Sequence, residues 1–517
     1  MNKQEKVKQA ISLSLKAGYH LEKEAFNLLH TISKTEDPVK LIETTLKKIK
    51  AQSEKLMFIS KDLLEEMAKE IFPENKEKRI SVAPILEATS VKTGKAKDDF
   101  FPRAPDIKKD IKVLKDPTDH ICSTGSIGEY LEYFQDRFNR IKKLIQQRMD
   151  AKDATSLREV FRAASNSKIK IICMITEKRE SKNGIFLGIE DLECSTTVLV
   201  PSNAHQGLVE RVKVLLPDQI VGMNIVKSKR KLLIVKELFF PDIPLKKQRR
   251  AKENVCAALI SDLHVGSKEF MRKEFNRFVL WLNGKFGNEN SREVASLVKY
   301  IIIAGDIVDG IGIYPNQIEE LTEKDVFEQY KLAAKFLEQI PNYIEIIIIP
   351  GNHDASRRSL PQPALTREYI EPILETRDVL SLGNPATVSI HNLDFLIYHG
   401  RSLDDVLATA ANMNFHSPER AMKLLLQGRH LAPVYGQRTS IAPEKRDFLV
   451  IEQVPDIFHA GHVHVMKYES YRGTLIINSG AWQRQTKYQR ELGLDPTPGI
   501  IPVVNLKTLK VLPMDFA

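Results

Sequence analysis

The sequence predicts a multidomain chain: an α-helical N-terminal domain, a β-barrel, and a C-terminal α/β domain of two layered sheets with flanking helices. Three observations predict it. Apolar residues recur at helical spacing through residues 1–71, short strand patterns crowd residues 160–245, and in residues 251–517 strand-like runs alternate with helical ones. At 517 residues the chain is too long for a single hydrophobic core.

In the helical domain the periodic positions are Val7, Ile11 and Leu15, then Leu21, Ala25, Leu28 and Leu29. Val39, Ile42 and Leu46 come next, then Leu63, Leu64 and Met67. Pro38 is placed to open the third helix, where its missing N–H costs nothing. No metal-ligand cluster occurs here, so the domain reads as an interaction module or as a bundle capping its neighbour. Across residues 72–119 the pattern collapses. Pro73, Pro84, Pro102, Pro105 and Pro117 punctuate a stretch rich in Lys, Asp and Glu, the composition of a flexible linker. Its apolar islands, Ile80-Ser81-Val82 and Ile111-Lys112-Val113, are candidates to bind a partner or dock back locally.

Residues 120–150 hold a helical segment with the stripe Tyr130, Phe134, Phe138, Ile141, Leu144 and Ile145, expected to pack on the adjoining barrel. The strands expected next are Ile169 to Ile175, Gly184 to Ile189, Thr196 to Val200, Gln219 to Asn224 and Leu232 to Glu237. The segment Leu208 to Leu216 lies between the third and fourth. That rhythm is the one of an OB-fold barrel. Exposed aromatic platforms for single-stranded nucleic acid are missing from it, which leaves nucleic-acid contact and a protein-facing role both open. Phe239 and Phe240, at its exit, read as interdomain packing.

The net charge of +10 points toward a polyanionic partner, and its distribution says more. Lys227-Ser228-Lys229-Arg230-Lys231 and Lys246-Lys247-Gln248-Arg249-Arg250 are dense enough to neutralise phosphates; the alternative is a solvated turn and a charged linker. No apolar run reaches the ~18 residues that span a bilayer, and the N-terminus lacks the apolar centre of a secretion signal. The four cysteines, Cys122, Cys173, Cys194 and Cys256, have no CxxC spacing and read as thiols of a reducing compartment. A cytoplasmic, DNA-associated chain with no membrane contact is the expectation.

The chemistry is concentrated in five signatures: Asp262-Leu263-His264; Gly305-Asp306 with Asp309; Gly351-Asn352-His353-Asp354; His399-Gly400; and Gly461-His462-Val463-His464. Each ends an apolar β-type run: Val255 to Ile260, Tyr300 to Ala304, Tyr343 to Ile349, Phe395 to Tyr398 and Val454 to His459. Solvated loops have no reason to put carboxylates and imidazoles at strand ends so regularly, whereas a two-metal centre has. Oxygen and imidazole donors without thiolate suit manganese, iron or zinc, and two cations can share one carboxylate.

In order and wording these elements resemble the calcineurin-like metallophosphoesterase superfamily, over roughly Val255 to Gly480. The resemblance implies a first metal held by Asp262, His264, Asp306 and His464, and a second by Asp306, Asn352, His399 and His462, with Asp306 bridging. It further implies that His353 is the non-ligand catalytic histidine, acting on the leaving oxygen, and that Asp309 is the carboxylate orienting it. Asp354 is a second candidate for that orienting role. Arg401 is a candidate phosphate-binding residue. His459 reads as a support or a packed residue, and Asn478 and Ser479 as shaping the site wall.

An OB-fold joined to a C-terminal phosphoesterase domain is similar to the B subunits of replicative DNA polymerases. The archaeal branch, the small subunits of family D DNA polymerase, keeps the metal ligands that eukaryotic B subunits have lost, and this chain looks like that branch. The likeness implies a proofreading 3′→5′ exonuclease acting on single-stranded or mismatched primer 3′ ends. Two divalent cations are implied, manganese first, with magnesium, iron or zinc as alternatives. A large catalytic polymerase subunit is the implied partner, with the sliding clamp reached through the holoenzyme. A non-catalytic scaffold and a free-standing nuclease or phosphatase are the competing readings.

Overall fold

Strands flanked by parallel neighbours and covered on both faces read as unbroken apolar runs, and the runs of the C-terminal half fold in that way. The computed structural model describes residues 100–517 apart from 149, 150, 230, 231 and 492, together with residues 3–17, 19–21, 37–51 and scattered positions among the other N-terminal residues. The chain divides into two units, 1–85 and 86–517.

In the first unit the described elements are helices Lys3–Lys16 and Pro38–Ala51 and a short parallel strand pair, His20–Leu21 with Phe58–Ile59. The Asp37 carboxylate accepts the Val39 N–H at 3.1 Å and so starts the second of these helices. Val7, Ala10, Leu41, Ile42, Ile59, Leu64 and Met67 are buried together. The strand pair was not anticipated by the periodicity. The other two helices expected, around Leu21–Leu29 and Leu63–Met67, lie largely outside the described residues.

In the second unit, one sheet runs in the order Val379–Ser381, Glu345–Ile349, Val298–Ala304, Cys256–Ile260, Ile500–Asn505, Lys510–Asp515, Thr89–Ser90. The other runs Lys467–Tyr471, Thr474–Asn478, Ile457–Ala460, Leu393–Tyr398, Ala386–Ile390, Ile111–Lys115. Tyr300, Ile302, Ile347 and Ile349 face Val388, Phe395, Ile397 and Ile477 between the sheets. The alternate residues Ile301, Ile303, Ile346 and Ile348 pack on the outer helices through Phe275, Phe278, Tyr330 and Leu337. Within each sheet the signature-bearing strands are parallel, so their carboxyl ends open on the same rim.

Residues 168–239 close a five-stranded barrel from Lys168–Ser181, Gly184–Glu190, Ser195–Pro201, Ile220–Lys227 and Leu233–Phe239. Helix Gln206–Lys213 lies between the third and fourth strands. Closure comes from the first strand pairing with the fourth and the third with the fifth. Helix Ile127–Gln146 begins with a reciprocal Ser126–Glu129 cap and buries Tyr133, Arg137, Phe138, Ile141 and Ile145.

Two expectations are corrected. The flexible linker assigned to residues 72–119 does not extend through 100–119, because Ile111–Lys115 docks as the edge strand beside Ala386–Ile390. The island Ile80-Ser81-Val82 lies outside the described residues. The basic clusters are in part taken up by the fold itself. Lys227 Nζ donates to the carbonyls of Val160, Phe161 and Ala163 at 2.7–3.1 Å, at the end of helix Leu157–Arg162. Lys246 Nζ lies 2.8 Å from Asp456, and Arg249 binds both Asp456 and Asp394. Lys229, Lys247 and Arg250 remain exposed.

Candidate metal centre

Each signature turns the chain sharply at a strand tip, and the backbone shows it. Asp262, His264, Asp306, His462 and His464 all have positive φ, between 52° and 69°. Non-glycine residues pay roughly 1–3 kcal/mol each for such conformations, which persist at sites where the surroundings dictate them. The glycines serve close approach. A Cβ on Gly351 would fall on Asp306, and one on Gly461 would meet Ser261 and Asp262. Neither position can carry a side chain while the loops stay this near.

The turns bring three groups of donor atoms within 4.8 Å of one another: Asp262, His264 and His464; His264, Asp306 and His353; Asp306, His399 and His462. Asp306 joins the sets, its Oδ2 lying 3.3 Å from His399 Nε2 and 3.8 Å from His264 Nε2. Asn352 Oδ1 is 3.0 Å from His399 Nε2. All seven residues expected to hold metal therefore meet in one place.

Neighbours fix which ring atom each histidine presents. His399 Nδ1 bonds the Ala304 carbonyl at 2.8 Å, and His264 Nδ1 bonds the Asp309 carboxylate at 2.8 Å. Their Nε2 lone pairs are left to face the centre. His462 Nε2 sits 3.2 Å from Asp404, which leaves its Nδ1. Gln489 reaches His464 Nδ1 at 3.0 Å.

The donors fit divalent cations. Asp262 Oδ1 is buried without a hydrogen-bond partner, 3.4 Å from His464 Nε2, while Oδ2 accepts the His462 N–H at 2.9 Å. An orphaned carboxylate oxygen is costly unless a cation meets it. Burial pushes the Asp306 carboxyl up, but His399 and His353 hold it well below its ordinary value. Burial lowers His399, and the carboxylates of Asp306 and Asp262 outweigh this and raise it to about 9. Such a proton is one that a bound cation would displace.

Among the residues expected around the ligands, His353 is partly buried, its ring 4.6 Å from that of His264, and its Nδ1 donates to the Asp309 backbone carbonyl at 2.7 Å. The Asp309 carboxylate is 3.8 Å from His353 but 2.8 Å from His264. Asp309 thus holds His353 through its main chain and His264 through its side chain, a correction to the carboxylate–His353 pairing. Asp354 does not orient His353 either. It ties the turn by accepting from Gly351 N at 2.8 Å, Ile307 N at 3.0 Å and the Tyr330 hydroxyl at 3.2 Å. Arg401 lines the cavity 3.3 Å from Asp404. His459 is fully buried beside Ser479, and burial lowers it to about 3, as befits a packed neutral ring. Asn478 braces the wall through the Val465 carbonyl.

Asp404, Gln483, Gln489, Arg438, Tyr314 and Tyr488 border the same cavity of about 320 Å³ and were not anticipated from the sequence. Asp404 carried a faint signal, an acid one helical turn past His399-Gly400. Gln489 and Tyr488 carried none, lying on the short helix Lys487–Glu491 after strand Thr474–Asn478 without any pattern around them.

A family model for the B subunit of DNA polymerases alpha and epsilon matches residues 257–468, from the strand before Asp262 to beyond His464. That span is similar to a polymerase B-type subunit. The DNA polymerase II small subunit of Pyrococcus furiosus is 38% identical over 452 residues, 84% of this chain and 73% of that one. That of Methanothermobacter thermautotrophicus is 35% identical over 487 residues, 94% of this chain and 96% of its own length. That of Methanocaldococcus jannaschii is 39% identical over 406 residues, 78% and 68% respectively. The chain belongs to this family of archaeal DNA polymerase small subunits.

Proposed function

We propose that this small subunit is a proofreading 3′→5′ exodeoxyribonuclease that hydrolyses DNA phosphodiesters at a two-metal centre and also scaffolds a large polymerase subunit. The observation that carries the reading is the convergence of Asp262, His264, Asp306, Asn352, His399, His462 and His464 with His353 in one cavity. An inert scaffold has no need to keep that set. Asp262, His264, Asp306 and His464 would hold one cation, and Asp306, Asn352, His399 and His462 the other. Manganese is favoured, and magnesium, iron and zinc suit the same donors. Such a pair supplies Lewis-acid polarisation of the phosphate and an activated water-derived nucleophile.

The chain's own residues do the rest. His353, with Nδ1 pinned to the Asp309 carbonyl, presents Nε2 to the cavity. In its imidazolium form it can pass the Nε2 proton to the departing 3′ oxygen. Arg401 and Arg438 line the same cavity and can bind phosphate oxygens. We read the five-stranded barrel as an OB-fold, and the N-terminal unit as a helical interaction module. The polymerase large subunit is the expected partner, and the sliding clamp is met through the holoenzyme.

The test is digestion of 5′-labelled single-stranded and mismatched primer-template DNA by the chain with manganese. Stepwise shortening from the 3′ end is expected, and His353→Ala should abolish it while bound metal, counted by elemental analysis, is unchanged. Undiminished digestion by that variant would remove His353 from the chemistry; no digestion by the parent chain would remove the nuclease.

A further inference from the structure

We propose that Tyr314 and Tyr488 form a stacking platform for the base of an unpaired terminal nucleotide, so that the metal cavity takes single-stranded nucleic-acid ends. The inference rests on the nuclease reading and specifies its substrate. The two rings come from separate segments, Tyr314 from the loop following the Gly305–Asp309 signature and Tyr488 from the short helix Lys487–Glu491, between strands Thr474–Asn478 and Ile500–Asn505. They meet with centroids 5.4 Å apart and planes inclined by 21°. Tyr314 is fixed from behind, its hydroxyl donating to Glu320 at 3.1 Å, and its ring lies 6.3 Å from that of His353. Tyr488 is 43% exposed. Both line the cavity that holds the ligand cluster, Arg401 and Arg438.

A tyrosine that stacks on one ring and leaves its remaining surface to solvent offers an aromatic face beside the reacting centre. A phosphodiester without a base would leave that face unused. A nucleobase would lengthen the stack, and stacking tolerates any base because every base has a π-face. A cavity of about 320 Å³ lies at the small end of ligand pockets, room for one nucleotide. A paired terminus must therefore open before it enters. A mismatched end opens at lower cost, so selection for mispaired primers follows from the platform without any base-specific hydrogen bond.

The experiment compares the full chain with Tyr488→Ala and Tyr488→Trp. On a single-stranded oligonucleotide with manganese, Tyr488→Ala should raise KM roughly ten-fold, the loss of one stacking contact, with kcat changed far less. Tyr488→Trp should restore KM. With an oligonucleotide whose 3′-terminal nucleotide is abasic, the parent chain should fall to the level of Tyr488→Ala, because both then lack the contact. Quenching of a 3′-terminal 2-aminopurine, followed without catalytic metal, gives a readout independent of turnover. It should appear with the parent chain and with Tyr488→Trp, and vanish with Tyr488→Ala. Equal KM for normal and abasic ends in the parent chain, or no quenching by it, overturns the platform. Quenching without cleavage would leave the platform standing and sink the nuclease reading, whereas base-independent cleavage would do the reverse.

Discussion

Asp309 grips two histidines with different atoms, and the difference can be measured. Its carboxylate, which also accepts from Gln317 and Gln483 at 3.1 Å, holds His264 Nδ1, whereas its carbonyl holds His353. Asp309→Asn keeps the carbonyl and removes the charge that fixes the His264 tautomer. Metal affinity should fall about 10–100-fold, the usual cost of losing such a supporting carboxylate, as titrated by manganese electron paramagnetic resonance. Activity at saturating manganese should largely recover. Unchanged affinity with lost activity would instead place the carboxylate in the service of His353. Asp404 stands to His462 as Asp309 does to His264, with the contact at 3.2 Å. Two of the candidate ligand histidines are thus steered by a carboxylate, buried in Asp309 and partly buried in Asp404, that is not itself among the candidate ligands.

Helix Ile127–Gln146 is tied to the irregular segment 429–450 by a buried charge network. Arg137 binds Asp447 through Nε at 2.9 Å, the Pro433 carbonyl at 3.1 Å and the Tyr133 hydroxyl at 3.0 Å. His430 completes it: Ala432 N–H donates to its Nδ1 at 3.1 Å, so the proton sits on Nε2, 2.8 Å from Asp447. That tautomer is neutral. Burial, and then Arg137, lower His430 from 6.5 to about 4. The unfolded chain therefore binds this proton more readily than the folded one, and stability rises with pH between about 4 and 6.5. Acidification from pH 7 to 5 should cost about 2 kcal/mol at this site. The check is the difference in urea unfolding midpoint between the parent chain and His430→Gln at both pH values. A gap that does not change with pH would mean that folding leaves the affinity of this ring for its proton unchanged. None of this network was legible in the sequence. Arg137 sits on the buried face of its helix among apolar residues, but its partners lie about 300 residues further along the chain. The strand tips were legible for the opposite reason: doubly buried parallel strands make unbroken apolar runs, and polar residues just past them stand out. Ile111–Lys115 showed only as an apolar island able to dock back, not as a strand, by the same logic, since an edge strand with an exposed face has no such run. Lys227, Lys246 and Arg249 looked like part of a phosphate surface because sequence does not show the carbonyls and aspartates they meet.

At the scale of the molecule, the barrel and the sheets that carry the candidate ligands share one core. Ile171, Cys173, Val198, Met223 and Val235 of the barrel belong to the same buried cluster as Leu396, Tyr398, Leu424, Leu425, Phe458 and Ile476. Asp242 N–H donates to the Gln427 carbonyl at 2.8 Å across the same junction, and Lys246 and Arg249 neutralise the buried Asp394 and Asp456. A chain beginning at Ala251 would keep every candidate ligand and lose the surface on which half of their scaffold packs. It would also leave two buried carboxylates without their cations, a loss of several kcal/mol when one partner of a buried pair is removed. Residues 1–85 are a different case, with a buried cluster of their own. The expectation is that residues 86–517 unfold cooperatively and bind two manganese ions per chain, whereas 251–517 aggregate or bind none, as read by calorimetry and elemental analysis. If 251–517 fold and take up two cations unaided, the barrel is a passenger; if they do not, the metal site depends on the barrel's half of the shared core as much as on its own strands.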